Sequence, residues 1–193
     1  MKKKILIWLG SIIGLVVLTI GVTLGLLHFA TNSADKKVSK EKDMSEYKEA
    51  PKEEEEKESI TAPIEGVFMN LPINESSSEE EVITAMHHMT HQKVIAEKKW
   101  GVIPMSRKNA ERVRDILNVS NFEKKAELLA IAERWVDGNH SLVVSDHNYF
   151  WKLQGGSVGK ATGVLDLASE RKFVSNNFGE EISSQLVKQG DLK

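Results

Sequence analysis

The chain has 193 residues, with 26 Lys and Arg against 28 Asp and Glu, and it contains no Cys. The absence of cysteine excludes disulfide frameworks, thiolate zinc sites and cysteine nucleophiles. The first part of the chain is apolar and the next part is densely charged, which leaves about 115 residues of globular character at the C-terminal end, enough for one modest core.

An uncharged run at residues 5–30 follows the short basic tail at residues 1–4. At about 1.5 Å per residue a helix of this length crosses a bilayer, and the run is longer than the apolar core of a secretory signal. We therefore predict a retained, single-pass transmembrane helix that acts as a signal-anchor. A cleavable signal ending near Ala34 is the alternative, although the flanking residues fit a small-x-small cleavage site poorly.

The lysines at the very start of the chain set the predicted orientation. They directly abut the apolar run, and a short tail followed by a long segment is typical of a signal-anchor. We expect residues 1–4 in the cytoplasm and the C-terminal domain outside the cell membrane. Glycines at spacings of four, seven and four also lie on one face of the predicted helix, where they would allow a homodimer; alternatively, glycine is simply common in membrane helices. These glycines are Gly10, Gly14, Gly21 and Gly25.

A charged linker is predicted at residues 31–78. Its composition is dominated by Lys, Glu, Asp and Ser, which cannot bury enough apolar surface to fold, so we interpret it as a flexible tether. An apolar island at residues 60–73 interrupts the tether and is bounded by Pro63 and Pro72. This island either docks on the domain as an extended strap or binds a partner, and we favour the strap.

A helical domain is predicted at residues 79–179. A capping box formed by Ser78 and Glu81 indicates a first helix that ends near Gly101, and Ser106 caps a second helix. Both helices carry apolar residues at helical spacing, which predicts that one face of each is buried.

Three further helices complete the prediction. Ser120 with Glu123 forms the capping pattern of a third helix, and Ser145 caps a short fourth one. A last helix runs from Asp166 to Phe178 and ends at Gly179, which leaves a ragged tail at residues 180–193. The only plausible strand is "SLVV", starting at residue 141, so the domain is predicted to be mostly α, with about five helices and a glycine-rich loop.

The glycine-rich segment "WKLQGGSVGKATG" first suggests a phosphate-binding loop. A P-loop needs glycine where Gln154 stands and a hydroxyl where Ala161 stands, so the nucleotide hypothesis fails. The glycines, including Gly155 and Gly156, are instead expected to permit positive φ and close packing in a turn between two helices.

The segment "MHHMTHQK" is the strongest candidate for chemistry. His87 and His91 are four residues apart, so they project from one face of a helix, and Asp146 with His147 could complete a zinc or iron site. The alternative is that His91, Gln92 and Lys93 hydrogen-bond to the "DHN" turn and the glycine-rich backbone, with no cofactor. The candidate binding residues are His91, Gln92, Lys93, Asp146, His147, Asn148, Trp151, Gln154, Gly155 and Gly156.

The charge balance excludes a nucleic-acid partner. From Glu79 onward, sixteen Lys and Arg stand against sixteen Asp and Glu, whereas a nucleic-acid-binding domain is expected to be basic. A locally basic second helix could touch lipid headgroups or an anionic wall polymer, but is better interpreted as a solvated face. The tryptophans, including Trp100 and Trp151, are expected to close the core.

Several motifs together resemble a known family. They are "MHHMTHQKV" at 86–94, "KWG" at 99–101, "RW" at 134–135 and "DHNYFWKLQGGSVGKATGVL" at 146–165. The chain resembles a family of small membrane-anchored proteins from Bacillus-type Gram-positive bacteria. That family is defined by a domain of unknown function. The resemblance implies an extracytoplasmic domain on a single N-terminal helix, and it implies no activity or catalytic residue.

Two functions follow as expectations. The first is a membrane-anchored interaction or regulatory module in the cell envelope, with an envelope protein or the cell wall as partner, no cofactor and no catalytic residue. The second is a metal-dependent envelope hydrolase that uses His87, His91 and His147, with Asp146 as ligand or base. Convergence of the three imidazoles in space would favour the metal site.

Overall fold

Helices dominate the part of the chain that the computed structural model describes, residues 58–193. Residues 58–61 are helical, and seven further elements follow. They are α1 (Glu79–Thr90), β1 (Val94–Ala96), α2 (Arg107–Val119), α3 (Lys125–Val136), α4 (Val143–Leu153), β2 (Ala161–Val164) and α5 (Leu167–Gln189). The prediction of a mostly helical small domain is confirmed.

None of the helices within residues 58–193 is both long enough and apolar enough to cross a bilayer. The predicted transmembrane helix at 5–30, its glycine face and residues 1–4 lie outside the described residues, as does the tether before residue 58.

Two of the predicted helix starts are confirmed by their caps. The Ser78 hydroxyl accepts from the Glu81 backbone N–H at 3.3 Å, and the Glu81 carboxylate accepts from the Ser78 N–H at 2.7 Å, which completes the capping box of α1. The Ser106 hydroxyl likewise accepts from the Asn109 N–H at the start of α2.

The last helix also starts as predicted, with Asp166 as its cap, whereas the starts predicted at Ser120 and Ser145 are wrong. The Ser120 hydroxyl donates back to the Leu117 carbonyl and so ends α2, while α3 begins five residues later. Ser145 lies inside α4, which starts at Val143. The "SLVV" segment therefore leads into α4 and is not a strand. Its valines belong to α4 and pack on the buried side of that helix.

A small antiparallel sheet replaces the predicted end of the first helix. α1 stops at Thr90, and β1 then pairs with β2 in the register Val94↔Val164 and Ile95↔Gly163, with an irregularity before Ala96. The strands have three and four residues, too short to show a period-two pattern. The sheet places the glycine-rich loop beside the end of α1.

The C-terminal tail is folded, contrary to prediction. Gly179 (φ 81, ψ 168) does not end the last helix but kinks it, and α5 continues to Gln189. Leu186 and Leu192 are buried in a small core with Phe173 and Val174. Residues 180–193 therefore pack through their leucines.

The apolar island at residues 60–73 lies against the domain in the manner the strap interpretation predicts. The Gly101 N–H donates to the Glu65 carbonyl at 2.8 Å, and the Phe68 N–H donates to the Val102 carbonyl at 2.9 Å. Ile73 is buried in the main core. Residues 60–78, predicted as tether, thus form part of the folded unit.

The main core lies among α1, α2, α3 and α4. Trp135 is fully buried there, and its ring meets Phe150 edge-on at 6.2 Å. The prediction that tryptophans close the core holds for Trp135 but is wrong for Trp100, which is 55% exposed. Packing of α1 against α4 through this core brings their histidines together.

Candidate metal centre

Three imidazoles converge where α1 packs against α4. One ring nitrogen from each of His87, His91 and His147 lies within 4.8 Å of the others. The ring centroids are 4.7 Å apart for His87 and His91, 4.5 Å for His87 and His147, and 5.2 Å for His91 and His147. The i, i+4 spacing on α1 supplies two of the rings, and the helix crossing supplies the third.

Hydrogen-bond contacts indicate which nitrogen of each imidazole ring is free to bind a metal. Nδ1 of His91 lies 2.6 Å from the Gly101 carbonyl, and Nδ1 of His87 lies 2.5 Å from the Gln154 side-chain oxygen. Nδ1 of His147 lies 3.3 Å from the Asn148 side-chain oxygen. An oxygen acceptor requires an N–H, so these contacts favour the tautomer that carries the proton on Nδ1 and leaves the lone pair on Nε2. Metal-binding histidines typically show this pattern.

The distance between two of the free nitrogens fits a metal ion. Nε2 of His87 and Nε2 of His147 are 3.2 Å apart. In the tautomer with both protons on Nδ1, two lone pairs face each other, whereas a proton on either Nε2 would make this contact a hydrogen bond. Two imidazole ligands on a tetrahedral zinc, each about 2.0–2.1 Å from the ion, are separated by about 3.3 Å.

The cluster favours uncharged imidazoles. Burial lowers the pKa of His87, and it lowers the pKa of His147 to about 4, with a further contribution from the nearby His87. Burial also holds the pKa of His91 well below its usual range. Neutral imidazole is the form that binds a metal, so the rings require no proton loss near neutral pH.

Asp146 does not join the cluster, and its prediction as a metal ligand or base is wrong. Its carboxylate accepts from Arg134 at 2.5 Å and from the Trp135 indole N–H at 3.1 Å. Because neighbouring residues of a helix point in different directions, Asp146 faces α3 while His147 faces α1. Burial raises the pKa of Asp146, and its two donors oppose that shift.

Gln92 and Lys93 also lie away from the "DHN" turn, contrary to the predicted hydrogen bonding. The Gln92 amide and the Lys93 ammonium both donate to one oxygen of Glu170 on α5, at 2.8 and 2.7 Å. The Gln92 side-chain oxygen accepts from the Met105 N–H at 2.9 Å. These contacts fix α5 to the end of α1.

Asn148 and Gln154 support the histidines. The Asn148 amide exchanges hydrogen bonds with the backbone of Ala161, accepting at 2.9 Å and donating at 3.0 Å, which holds β2 on α4. The Gln154 amide donates to Thr84 at 2.8 Å, which directs its oxygen to His87. Both side chains orient imidazoles and also tie secondary-structure elements together.

A cavity of about 220 Å³ opens beside the cluster. His87 and His91 line it, together with the neighbouring His88 and residues from the two flanking loops. The loop residues are Lys98, Trp100, Gln154, Gly156, Val158 and Gly159, and Trp151 lines the cavity from the last turn of α4. The cavity gives a ligand access to two of the three imidazoles.

Position 156 requires glycine because Trp151 packs against it, and not because of its backbone conformation. Gly155 has φ of 69°, as predicted, whereas Gly156 is not among the positive-φ glycines. A Cβ at Gly156 would overlap the indole of Trp151, whose N–H donates to the Val158 carbonyl at 2.8 Å. The prediction of positive φ at Gly156 is therefore wrong, while close packing is confirmed.

Gly156→Val is expected to destabilise the metal-free protein by about 2–3 kcal/mol, because the added side chain forces Trp151 out of its position. The loss should exceed that caused by His91→Ala, and thermal melts of the two variants test the order. Gly155→Ala is the matched control: nothing lies within 4 Å of its Cβ position, so only the backbone cost of about 1 kcal/mol remains. A smaller loss for Gly156→Val than for Gly155→Ala would contradict the overlap.

Several residues of the site were not predicted from the sequence. The Gly101 carbonyl orients His91, and Gly101 itself adopts φ of 77° with the His88 ring against it. Lys98 and Trp100 line the cavity. The "KWG" motif was the available signal, but its significance depends on the turn after β1, which brings it back to α1.

Lys99 is buried, and within the described residues its ammonium has no hydrogen-bond partner. It lies 4.3 Å from the centre of the Phe173 ring. Burial lowers the pKa of Lys99 from 10.5 to about 8. The charged amine therefore costs stability near neutral pH, offset in part by the cation–π contact.

Lys99→Met is expected to raise the free energy of unfolding by about 1–3 kcal/mol at pH 7, because it removes the buried charge and keeps the contact with Phe173. Between pH 8 and pH 10.5 the unfolded chain binds more protons at Lys99 than the folded chain does, so wild-type stability rises with pH. The advantage of the variant should shrink over that range. Denaturant titrations at pH 7 and pH 10 test this, and a variant less stable than wild type at pH 7 would contradict it.

Comparison with known protein families gives a match to part of the chain. Residues 86–175 match a family of unknown function (DUF6241). The matched segment begins on α1 and ends within α5, so it contains all three histidines and the glycine-rich loop. The predicted resemblance to a domain of unknown function is thus confirmed, while the membrane anchor and the bacterial source remain predictions. No curated protein and no solved structure matches the chain.

Proposed function

We propose that this protein is a metal-binding module of the cell envelope, in which His87, His91 and His147 bind one divalent transition-metal ion. The single observation that carries the proposal is the arrangement of the three rings, each with Nδ1 on an oxygen acceptor and with a ring nitrogen within 4.8 Å of the other two. In the tautomer with the proton on Nδ1, imidazoles held in this way without a metal would leave lone pairs facing each other at a cost in stability.

Zinc is the ion that best fits the ligands. Imidazole nitrogen suits zinc, copper, iron and nickel, and three histidines with an open fourth position are typical of zinc sites that bind a further ligand. Non-haem iron sites commonly use two histidines and one carboxylate. The engagement of Asp146 by Arg134 and Trp135 removes the carboxylate that the sequence suggested for such a site, which favours zinc over iron.

The cellular location is a further part of the proposal. The uncharged run at residues 5–30 and the basic residues before it support a single-pass anchor, with the folded unit outside the cytoplasmic membrane. Outside the cytoplasmic membrane, the module would bind metal from the envelope. It would then present either the metal or a metal-dependent surface to an envelope partner. Protease added to intact cells should digest the folded unit, and protection of the C-terminus would contradict this location.

Hydrolysis is the second candidate function, and the cavity of about 220 Å³ beside the ligands is the observation that favours it. Zinc lowers the pKa of a bound water to about 7, which would supply a nucleophile in the cavity. Among the described residues that line the cavity none carries a carboxylate, so a base would have to be the metal-bound hydroxide itself. Zinc-dependent cleavage of a small activated ester, lost in His91→Ala, would support hydrolysis over metal binding alone.

Metal analysis of the purified chain tests the main proposal. After dialysis against zinc and removal of excess ion, we expect about one equivalent of zinc per chain and a loss of most of it in His91→Ala. His88→Ala is the matched control, because His88 is adjacent on α1 and half-buried but lies outside the cluster. Equal zinc in wild type and His91→Ala, or no zinc in either, would overturn the proposal.

A further inference from the structure

We infer that the ligand completing the metal site is a small oxyanion, a carboxylate or phosphate group, held in the cavity between the metal and Lys98. This inference rests on the proposed metal site. It concerns what the cavity of about 220 Å³ accepts, as distinct from whether the three histidines bind an ion.

The charge of the site selects an anion. Three neutral imidazoles leave the full double positive charge of a divalent ion uncompensated. Of the described residues lining the cavity, none is acidic and one, Lys98, is basic. A neutral or cationic ligand would leave this charge unbalanced in a partly enclosed space, where Coulomb interactions are stronger than in bulk water.

Behind the site, one carboxylate is paired and one ammonium is buried. The nearest predicted carboxylate, Asp146, is directed to Arg134 and Trp135. Lys99 lies close enough for its charge to act on His147, and its ammonium is buried without a hydrogen-bond partner among the described residues. The surroundings of the cluster are thus cationic on the Lys99 side as well as on the cavity side.

The size of the cavity limits the ligand. A water molecule occupies about 30 Å³ in the liquid, so the space corresponds to roughly seven waters, below the range of about 300–1,000 Å³ of drug-sized pockets. An acetate or phosphate ion fits with a few waters. A larger molecule could enter only by an anionic end group.

Apolar and cationic side chains lie at the rim of the cavity, where this end group would bind. Trp100 is 55% exposed, and the Lys98 ammonium lies 5.8 Å from the centre of its ring. The indole N–H of Trp151 is already used by the Val158 carbonyl, so that ring offers only its surface to a ligand. Lys98 is therefore the charged donor available at the rim for an oxygen of the anion.

Cobalt provides the test, because its visible absorption changes when the fourth ligand changes. The full-length chain is loaded with Co²⁺, one equivalent is verified by metal analysis, and sodium acetate, inorganic phosphate or methyl phosphate is titrated in. We expect a saturable spectral change with at least one of these anions. If methyl phosphate binds as tightly as inorganic phosphate, the site accepts the phosphate end group of a larger molecule. If only inorganic phosphate binds, the site accepts the free ion.

Variants of Lys98 identify the second contact. Lys98→Gln should weaken anion binding about fivefold, as expected for one partly exposed charge, while Lys98→Arg should preserve it. Lys108→Gln on α2 is the matched control, since it removes an exposed lysine outside the cavity lining. None of these changes should alter the cobalt stoichiometry.

The two proposals fail in different ways. One equivalent of bound cobalt with no spectral response to any of the anions would overturn the oxyanion inference and leave the metal site standing. Equal anion affinity in wild type and Lys98→Gln would remove Lys98 from the site and overturn the inference as stated. Failure to bind cobalt at all would overturn the proposed function and the inference with it.

Discussion

Zinc is expected to raise the free energy of unfolding of the metal-free protein by about 4 kcal/mol when free zinc exceeds its Kd about 1,000-fold. The reason is that the unfolded chain lacks the preformed cluster of His87, His91 and His147, so the metal binds the folded state selectively. For a folded unit of this size the increase corresponds to a rise in Tm of roughly 12–20 °C. Thermal unfolding in chelator and in buffered zinc measures it.

Variants of the histidines separate a specific site from general zinc binding. His147→Ala should abolish most of the zinc-dependent rise in Tm, because α4 supplies only this ligand to the cluster. His88→Ala should retain the rise, whatever it does to the melting temperature without metal. An equal zinc-dependent shift in all three proteins would contradict a three-histidine site.

Glu170→Ala is expected to destabilise the protein by about 3–5 kcal/mol, because it leaves the buried Lys93 ammonium without its partner. The side chains of Lys93 and Glu170 are 9% and 7% exposed, and the same Glu170 oxygen also accepts from Gln92. Loss of this carboxylate therefore affects two buried donors that join α5 to the end of α1. Urea unfolding of the metal-free protein measures the change.

The control for this variant is an exposed ion pair on the same protein. Glu75→Ala removes the partner of Arg112, where the side chains are 54% and 44% exposed, and a much smaller change is expected. Replacing both Lys93 and Glu170 with Met should recover most of the stability lost in Glu170→Ala, since buried ion pairs can be exchanged for apolar residues of similar size. Similar losses of stability for Glu170→Ala and Glu75→Ala would show that the buried ion pair contributes no more than the exposed one.

The features of the fold that depend on local sequence were predictable. The capping box at Ser78 and Glu81 and the cap at Ser106 involve residues three apart, and both are observed. The i, i+4 placement of His87 and His91 is equally local, so sequence alone could nominate them. His147 could be nominated as the third residue only because few other histidines exist in the domain.

The features that depend on contacts between distant segments were not predictable. β1 pairs with β2 nearly seventy residues later along the chain, and neither strand has enough residues to show a pattern. The direction of Asp146 was decided by Arg134 and Trp135 on α3, which single-sequence reasoning could not place. The glycine at position 179 predicts a helix end, whereas the structure has a kink there. The helix continues because Leu186 and Leu192 are buried against distant parts of the chain, and these contacts cannot be inferred from local sequence.

X-ray absorption at the zinc edge of the zinc-loaded, full-length protein tests the central claim most directly. The account predicts three imidazole nitrogens at about 2.0–2.1 Å and one further light ligand, and loss of most of the bound zinc, with its three-imidazole spectrum, in His147→Ala. A zinc environment of six oxygens without imidazole scattering, or a spectrum unchanged in His147→Ala, would contradict it.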